Sequence, residues 1–464
     1  MMRSLTSRSL RNRSLSARSL SIVGIVGVAS LAVGLSGCAG GGDDAAGDDT
    51  IRVAYQKTAA FTAMDELMKK AKDEYEAANE GKTVELVPIE AEQDQYFTKL
   101  ALMNGSPDTA PDVIYEDTFQ IRSDAAAGYL LPIDDYIADW EDWSLYDDGA
   151  KQAGLGDDGK TYGISLGTDT RGLYFNKDIF EAAGLPTDWA PTSWNDILDA
   201  ARTIKASNPD VIPFNVYASK SLGEATSMQG FEMLLYGTGD ELMDTDTNKW
   251  VTGSQGFRDA LGLYQTLAEE GLGPDPAEAL DAGWGSKVST ELIPQGKLAI
   301  ALDGSWLPSN WISGDNEWPE WQETMGFAAM PTKDAGGFTS MSGGWTLAVG
   351  ANAADPQSAF DFIAQALTPE NALMYHQEAG QIAVRSDVAS SQEYLDFNPS
   401  FEFFSSLVPY THFRPATPDY SQISSNIPVA TESVFTGQAT PEDAQAQYDS
   451  ALVGIVGEEN TQAG

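Results

Sequence analysis

Ile51-Arg52-Val53-Ala54-Tyr55 alternates apolar and polar side chains with the period of two that a half-buried strand requires. Phe61, Met64, Leu67, Met68, Ala71 and Tyr75 follow at three- and four-residue steps, which places them on one face of a helix. Thr83 to Pro88 (TVELVP) reads as a second strand and Tyr96 to Met103 as a further helix. Pro111-Asp112-Val113-Ile114-Tyr115 is then a short buried strand behind a Pro/Asp turn. Strand, helix, strand, helix and strand in this order predict an α/β lobe built on a mainly parallel sheet.

The same alternation continues outward. Trp194, Ile197, Leu198, Ala201 and Ile204 form a helical stripe behind Thr192 and Ser193, two residues suited to an N-cap. Phe257, Ala260, Leu261, Tyr264 and Leu267 form another, and Ala359, Phe362, Ile363, Ala366 and Leu367 a third. Thr368-Pro369-Glu370 and Thr440-Pro441-Glu442-Asp443 each place a cap residue before a proline at the first helical position, the second ahead of a helix through Tyr448 and Leu452. No repeat recurs at a fixed period. With 464 residues, the chain is long enough for two domains, and 42% hydrophobic residues can fill their cores, which excludes a disordered chain or a coiled coil.

Charge narrows the function. Sixty-nine acids against 27 bases leave a net charge of −42, a surface that repels phosphate, so nucleic acids are excluded as partners. The basic residues are also unevenly placed. Arg3, Arg8, Arg11, Arg13 and Arg18 precede an uncharged run from Ile22 to Leu35, with no acid among them. That run is too short to cross roughly 30 Å of hydrocarbon and suits a secretory leader. Leu35-Ser36-Gly37-Cys38 then places small residues before the only cysteine of the chain and resembles the lipobox of bacterial lipoproteins. Residues 1–37 are expected to be a lipoprotein signal peptide, and Cys38 the lipidated first residue of the mature chain. Residues 38–49, with Gly40 to Asp49 reading GGGDDAAGDD, are expected to be a flexible tether reaching roughly 17–20 Å. No later segment approaches the length of a membrane span, so contact with the membrane is expected through the lipid anchor alone.

Of the named catalytic motifs, neither HExxH nor CxxC occurs. Asp244-Thr245-Asp246-Thr247-Asn248 starts like a calcium loop, but Lys249 stands where the sharp turn needs glycine and Gln255 where the bidentate glutamate belongs, so it reads as a polar turn. His376 and His412 are far apart in sequence and read as structural. Neither a metal nor a cofactor is expected. Tryptophan is more informative. Trp284 in Ala282-Gly283-Trp284-Gly285, Trp306 in Asp303-Gly304-Ser305-Trp306 and Trp345 in Ser342-Gly343-Gly344-Trp345 are expected to be exposed platforms. An indole beside glycine can cover the C–H face of a sugar while neighbouring carboxylates accept its hydroxyls.

Gly172-Leu173-Tyr174-Phe175-Asn176-Lys177-Asp178-Ile179-Phe180, Ala183-Gly184-Leu185-Pro186 and Pro191-Thr192-Ser193-Trp194 resemble the family of carbohydrate-binding extracellular solute-binding proteins. These are the maltodextrin-binding-protein-like receptors of ABC importers. Gln295 to Ile300 with Gly304-Ser305-Trp306, Gly326 to Pro331, Gly343-Gly344 and Gly380 to Arg385 extend the likeness over about residues 50–455. The resemblance implies an α/β, two-lobe periplasmic-binding-protein-like fold of type II, with a ligand cleft between the lobes and several hinge crossings. Lobe 1 would be 50–167 with 345–390, lobe 2 would be 172–342 with 391–458, and 168–171 would be a crossing. Family ligand contacts carry over to Tyr55, Glu116, Asp117, Asp169, Tyr217 and Trp306. Trp284 and Trp345 are added by the platform argument, and Tyr420 is a further candidate. Glu116 stands where the maltodextrin receptor places a stacking tryptophan, which argues against malto-oligosaccharide itself.

The resulting expectation is a non-enzymatic, monomeric receptor that captures a small oligosaccharide and delivers it to the membrane subunits of an ABC importer. It would sit on the extracellular face of the cytoplasmic membrane, and high Ala, Gly and Asp beside a lipobox points to a Gram-positive host. A secreted carbohydrate-active enzyme using two carboxylates and a receptor for a non-sugar solute are the alternatives that the residues leave open. Anchoring has its own test: Cys38→Ser should release the protein into the medium or leave it unprocessed. Normal retention with acyl-label incorporation in that variant would contradict the anchor.

Overall fold

The computed structural model describes residues 49–58, 61–91, 93–312 and 316–464. The leader (1–37), Cys38 and the tether except for Asp49 lie outside the described residues. Among the described residues no helix is long and apolar enough to cross a membrane.

Two sheets organise the rest. The first has five strands in the order Thr83–Glu90, Thr50–Lys57, Val113–Asp117, Trp345–Val349, Gly163–Ser165. The second has four, in the order Met325–Ala328, Arg171–Asn176, Leu298–Gly304, Ile212–Asn215. Each has its own hydrophobic core. Met64, Leu67, Met68, Ala71 and Tyr75, the predicted face of the Ala63–Ala78 helix, are all buried against the first sheet. The stripe on Trp194–Ser207 packs likewise on the second.

Local sequence explains several element boundaries. Ser193 forms a full capping box with Asp196, and Thr440 accepts from the Asp443 amide. Thr368 occupies the cap position of Pro369–Ala379 without a side-chain bond, so Pro369 at the first helical position does the work of removing an orphan donor there. In Gly172 to Phe180 the strand ends at Asn176, whose carboxamide oxygen accepts from the Ile179 amide at 3.0 Å and starts the Lys177–Ala182 helix. The Asp244 turn joins two short antiparallel strands, its carboxylate accepting the Asp246 and Thr247 amides. His376 is buried inside its helix, and His412 stacks on Tyr236 with ring centroids 4.5 Å apart.

The first sheet is mainly parallel, as expected, with one strand reversed. Thr50–Lys57 is parallel to both its neighbours, but Trp345–Val349 is antiparallel to Val113–Asp117 and to Gly163–Ser165. The cause is the crossing. The chain returns from the second lobe at Trp345, which pairs with Asp117 at the end of its strand, so it must run back the other way.

Three chain segments cross between the lobes, and they are bonded side by side. Thr168 and Ile382 exchange both backbone hydrogen bonds, at 3.0 and 2.8 Å. The Thr168 hydroxyl meets that of Ser342 at 2.8 Å, and the Thr118 amide donates to the Gly344 carbonyl at 3.1 Å. Farther along, the Gln392–Phe397 helix packs through Tyr394 on Ala372, Ala383 and Phe401, and Thr461–Ala463 pairs in parallel with Lys249–Thr252.

Glycine at 344 is required by this joint. Its φ is +141°, and a Cβ there would stand 2.6 Å from the Gly167 carbonyl oxygen. Gly344→Ala should therefore lower stability by about 1–3 kcal/mol, read from the denaturant midpoint. Gly262, in the Gln255–Glu269 helix with nothing within 4 Å of its virtual Cβ, provides the contrast. Gly262→Ala should stabilise by about 0.5–1 kcal/mol.

Candidate functional site

The crossings form one wall of a cavity of about 410 Å³ between the two sheets. Strand ends supply several of its charged side chains. Arg171 begins its strand opposite Gly304, and Gly172 lies opposite Asp303, so this cation and this acid arrive from neighbouring strands at the same end of the second sheet. Asp117 ends the central strand of the first sheet across from Trp345.

Arg171 is fully buried and its guanidinium pairs with Asp169. It also donates to the Met341 carbonyl at 3.2 Å, and Asp169 accepts the Gly343 amide at 2.9 Å. The guanidinium carbon lies 4.7 Å over the ring of Trp306, a cation–π contact. Gly304 makes room for that indole, since a Cβ at 304 would lie 2.1 Å from ring carbons. Asp303 accepts from the Tyr217 hydroxyl at 2.9 Å, from Gln229 at 3.1 Å and from the Gly304 amide at 2.7 Å. Burial pushes its carboxyl up to about 6 against these stabilising bonds. Gln229 comes from Ala225–Glu232, a π-helical stretch whose wider turn is a recurrent feature of binding sites.

Asp117 is raised to about 6 by burial, opposed by Arg414, whose guanidinium donates to it at 2.6 Å. Gln93 donates to its other oxygen at 3.2 Å. Arg414 also reaches Glu224 at 3.2 Å. Trp345 is half-buried, with one face stacked on Tyr115 at 4.2 Å between centroids and 6° between planes.

Five of the expected residues therefore line this cavity: Asp117, Asp169, Tyr217, Trp306 and Trp345. Four do not, and each has a physical reason. Tyr55 turns its hydroxyl inward to Asp65 at 2.6 Å, while the next residue on its strand, Gln56, faces the cavity. Glu116 is buried on the opposite side of its strand from Asp117, where its carboxyl meets that of Asp124. Burial first, and then the charge of Asp124, hold it well above the carboxylate range. Trp284 is not an exposed platform: it is buried, its indole NH bonded to Asn215 at 2.9 Å, and the adjacent Gly285 and Ser286 line the cavity instead. Tyr420 lies behind the wall, donating to Glu232 at 2.7 Å and to Glu224 at 3.3 Å. Arg171, Glu224, Gln229 and Arg414 escaped the sequence reading. The one signal that could have found the arginines is their rarity in so acidic a chain.

These features define a two-lobe α/β binding protein with its site at the joint between lobes, at the ends of sheet strands. The chain belongs to the bacterial extracellular solute-binding protein family, whose model matches residues 58–373. A Brucella abortus (strain 2308) chain bearing the name of a binding protein is 25% identical over 430 residues, covering 91% of this chain and 98% of its own. An ABC transporter solute-binding protein of Thermotoga lettingae TMO, solved with alpha-D-tagatose, superposes with a TM-score of 0.74. It is 24% identical and covers 88% of this chain and 99% of its own. The GacH receptor of Streptomyces glaucescens GLA.O, solved unliganded and with acarbose, gives 0.74 at 20% identity, covering 89% and 100%. At these identities the likeness carries the fold.

The buried carboxyls make stability depend on pH. Burial, followed by the charge of Glu224, raises Glu232 to about 8, and burial with Glu66 raises Glu378 to about 7. Such groups hold their protons more tightly folded than unfolded. Their stabilisation is complete below the ordinary value of 4.5 and is lost as pH rises through 7 and 8. His376 works in the opposite sense, since burial lowers it to about 4, but that loss begins only as pH falls below 6.5. The melting temperature should therefore rise as pH is lowered from about 8.5 to 6.5, and Glu232→Gln should flatten the rise. A profile already flat in the parent would show that Glu232 is ionised in the fold.

Proposed function

We propose that this solute-binding protein captures a small oligosaccharide and delivers it intact to the membrane subunits of an ABC importer. It would act as a monomer held on the extracellular face of the cytoplasmic membrane of a Gram-positive host by lipid on Cys38. Its lobes would be 50–167 with 345–390, and 172–342 with 391–458, hinged at 168–171.

One observation carries the ligand class: two half-buried indoles, Trp306 and Trp345, border the same cavity as Asp117, Asp169 and Asp303. Indole carbon offers contact to C–H faces, and charged acceptors make the stronger hydrogen bonds to hydroxyls. The volume of about 410 Å³ suits a compact ligand rather than a polymer. The tagatose and acarbose bound by the two structural relatives are of the same chemical kind. Binding without catalysis is favoured by how the acids are held. Asp117 and Asp169 each face a buried guanidinium, and Asp303 accepts three protein donors, whereas a two-carboxylate hydrolase needs an acid and a base free to exchange protons with substrate.

A thermal-shift panel of di- to tetrasaccharides, with chromatography of the recovered sugar, tests both parts. At least one sugar should raise the melting temperature and be recovered uncleaved. Turnover lost on changing one cleft carboxylate would instead establish the enzyme.

Trp306→Ala should weaken binding by about 2–4 kcal/mol while moving the ligand-free melting temperature little. Asp169→Asn should behave differently, because it strips a buried guanidinium of its partner. The ligand-free protein should lose about 3–5 kcal/mol of stability before any effect on affinity is read. Calorimetric titration and melting curves on both variants separate the two effects.

A further inference from the structure

Asp117 and Arg414 belong to different lobes. Asp117 closes the central strand of the first sheet. Arg414 follows Thr411–His412, which pairs with Phe338–Met341, and Met341 is packed in the core of the second lobe. Their side chains are 3% and 5% exposed, and the bond between them is 2.6 Å long. The other arm of the guanidinium reaches Glu224 on the second-lobe side at 3.2 Å.

A hydrophobic contact accompanies the ion pair. Phe119, two residues beyond Asp117, leaves the first sheet and is buried in the core of the second lobe. It meets Tyr420 edge-on at 5.5 Å, and the Arg414 guanidinium lies 4.3 Å over its ring. Tyr420 in turn bonds Glu224 and Glu232. Gly343, in a crossing segment, permits the approach, since a Cβ there would stand 3.1 Å from the Arg414 nitrogen.

We propose that Arg414 and the Asp117-Thr118-Phe119 segment form a clasp across the cleft, and that Arg414 is the positioning residue coupling solute capture to lobe closure. This rests on the reading of the cleft as the solute site. The pair has one partner on each lobe, so it exists in full only when the lobes are shut. Asp117 and Arg414 also line the cavity, so the clasp and a bound solute share one volume. With Arg414 neutralised, Asp117 is left buried without its counter-charge in the shut form but can be hydrated in an open one, which shifts the balance toward opening.

The test compares the parent with Arg414→Gln, Arg414→Lys and the double change Asp117→Asn with Arg414→Gln. In ligand-free buffer, small-angle scattering should give Arg414→Gln a larger radius of gyration than the parent, with Arg414→Lys between them. The double variant should be no more expanded than Arg414→Gln, because both changes break one pair. With lactose as probe, dissociation from Arg414→Gln should be roughly 30-fold faster or more, with association little changed. If Arg414→Gln fails to fold, Arg414→Lys carries the comparison. A parent that binds no sugar of the panel counts against the sugar-receptor reading, while scattering, which needs no ligand, still decides the clasp. Equal radii in parent and cooperatively folded variant would overturn it.

Discussion

Arg171 holds a full positive charge out of water at the place where the lobes join, and the local geometry answers that cost. An unpaired guanidinium in such a site would be destabilising by several kcal/mol, so neighbouring chain segments must bring acceptors to it. Asp169 comes from its own crossing, and the Met341 carbonyl comes from the next. Its backbone amide donates to the Ser340 hydroxyl at 2.9 Å, drawing that same segment closer. Trp306 covers the guanidinium from the end of the neighbouring strand. One buried charge thus fixes the spacing of two crossings and the position of an indole in the cleft.

The cleft also illustrates how an acidic chain concentrates its few bases. Most of the acids behind the net charge of −42 need no partner, because an exposed carboxylate costs little in water. In the cleft Asp117 and Asp303 are buried, and burial pushes both carboxyls up to about 6. Arg414 opposes that shift at Asp117, and the Gly304 amide, the Tyr217 hydroxyl and Arg171 oppose it at Asp303. Glu116 shows the alternative: one residue earlier on the same strand, buried and facing the carboxyl of Asp124 instead of a guanidinium, it is held well above the carboxylate range.

That single-residue difference marks the limit of what was legible in the sequence. Periodicity located the Ala63–Ala78 and Trp194–Ser207 helices and their buried faces, because a helical stripe is a local property repeated over several turns. The succession of strands and helices from 51 to 115 was legible for the same reason, but the reversal of Trp345–Val349 was not, since it depends on where a chain comes back from another lobe. Site residues fared in the same way. Glycine beside Trp306 correctly signalled close approach, while the same pattern around Trp284 accompanied a buried indole held by Asn215, a partner 69 residues away. Which side of a strand faces the cleft decided Asp117 against Glu116 and Gln56 against Tyr55, and no local motif encodes it.

The contact at the centre of the clasp, Asp117 with Arg414, is ionic, and the physics of burial explains why that suits a joint that opens. An apolar interface stabilises the shut form by about 25 cal/mol per Å² and gives nothing back when it parts. An ion pair is different. Its Coulomb gain when shut is largely cancelled by desolvation, and on opening both charges recover their hydration. The net preference for the shut form is therefore small, while the geometry it demands is strict. A small gap is what a ligand's differential affinity can tip, because a population can shift only by the difference between its affinities for the two forms. Phe119 alone, buried in the far core, would lock the lobes together; set beside Asp117 and Arg414, its burial is offset by the charges that must be dehydrated with it.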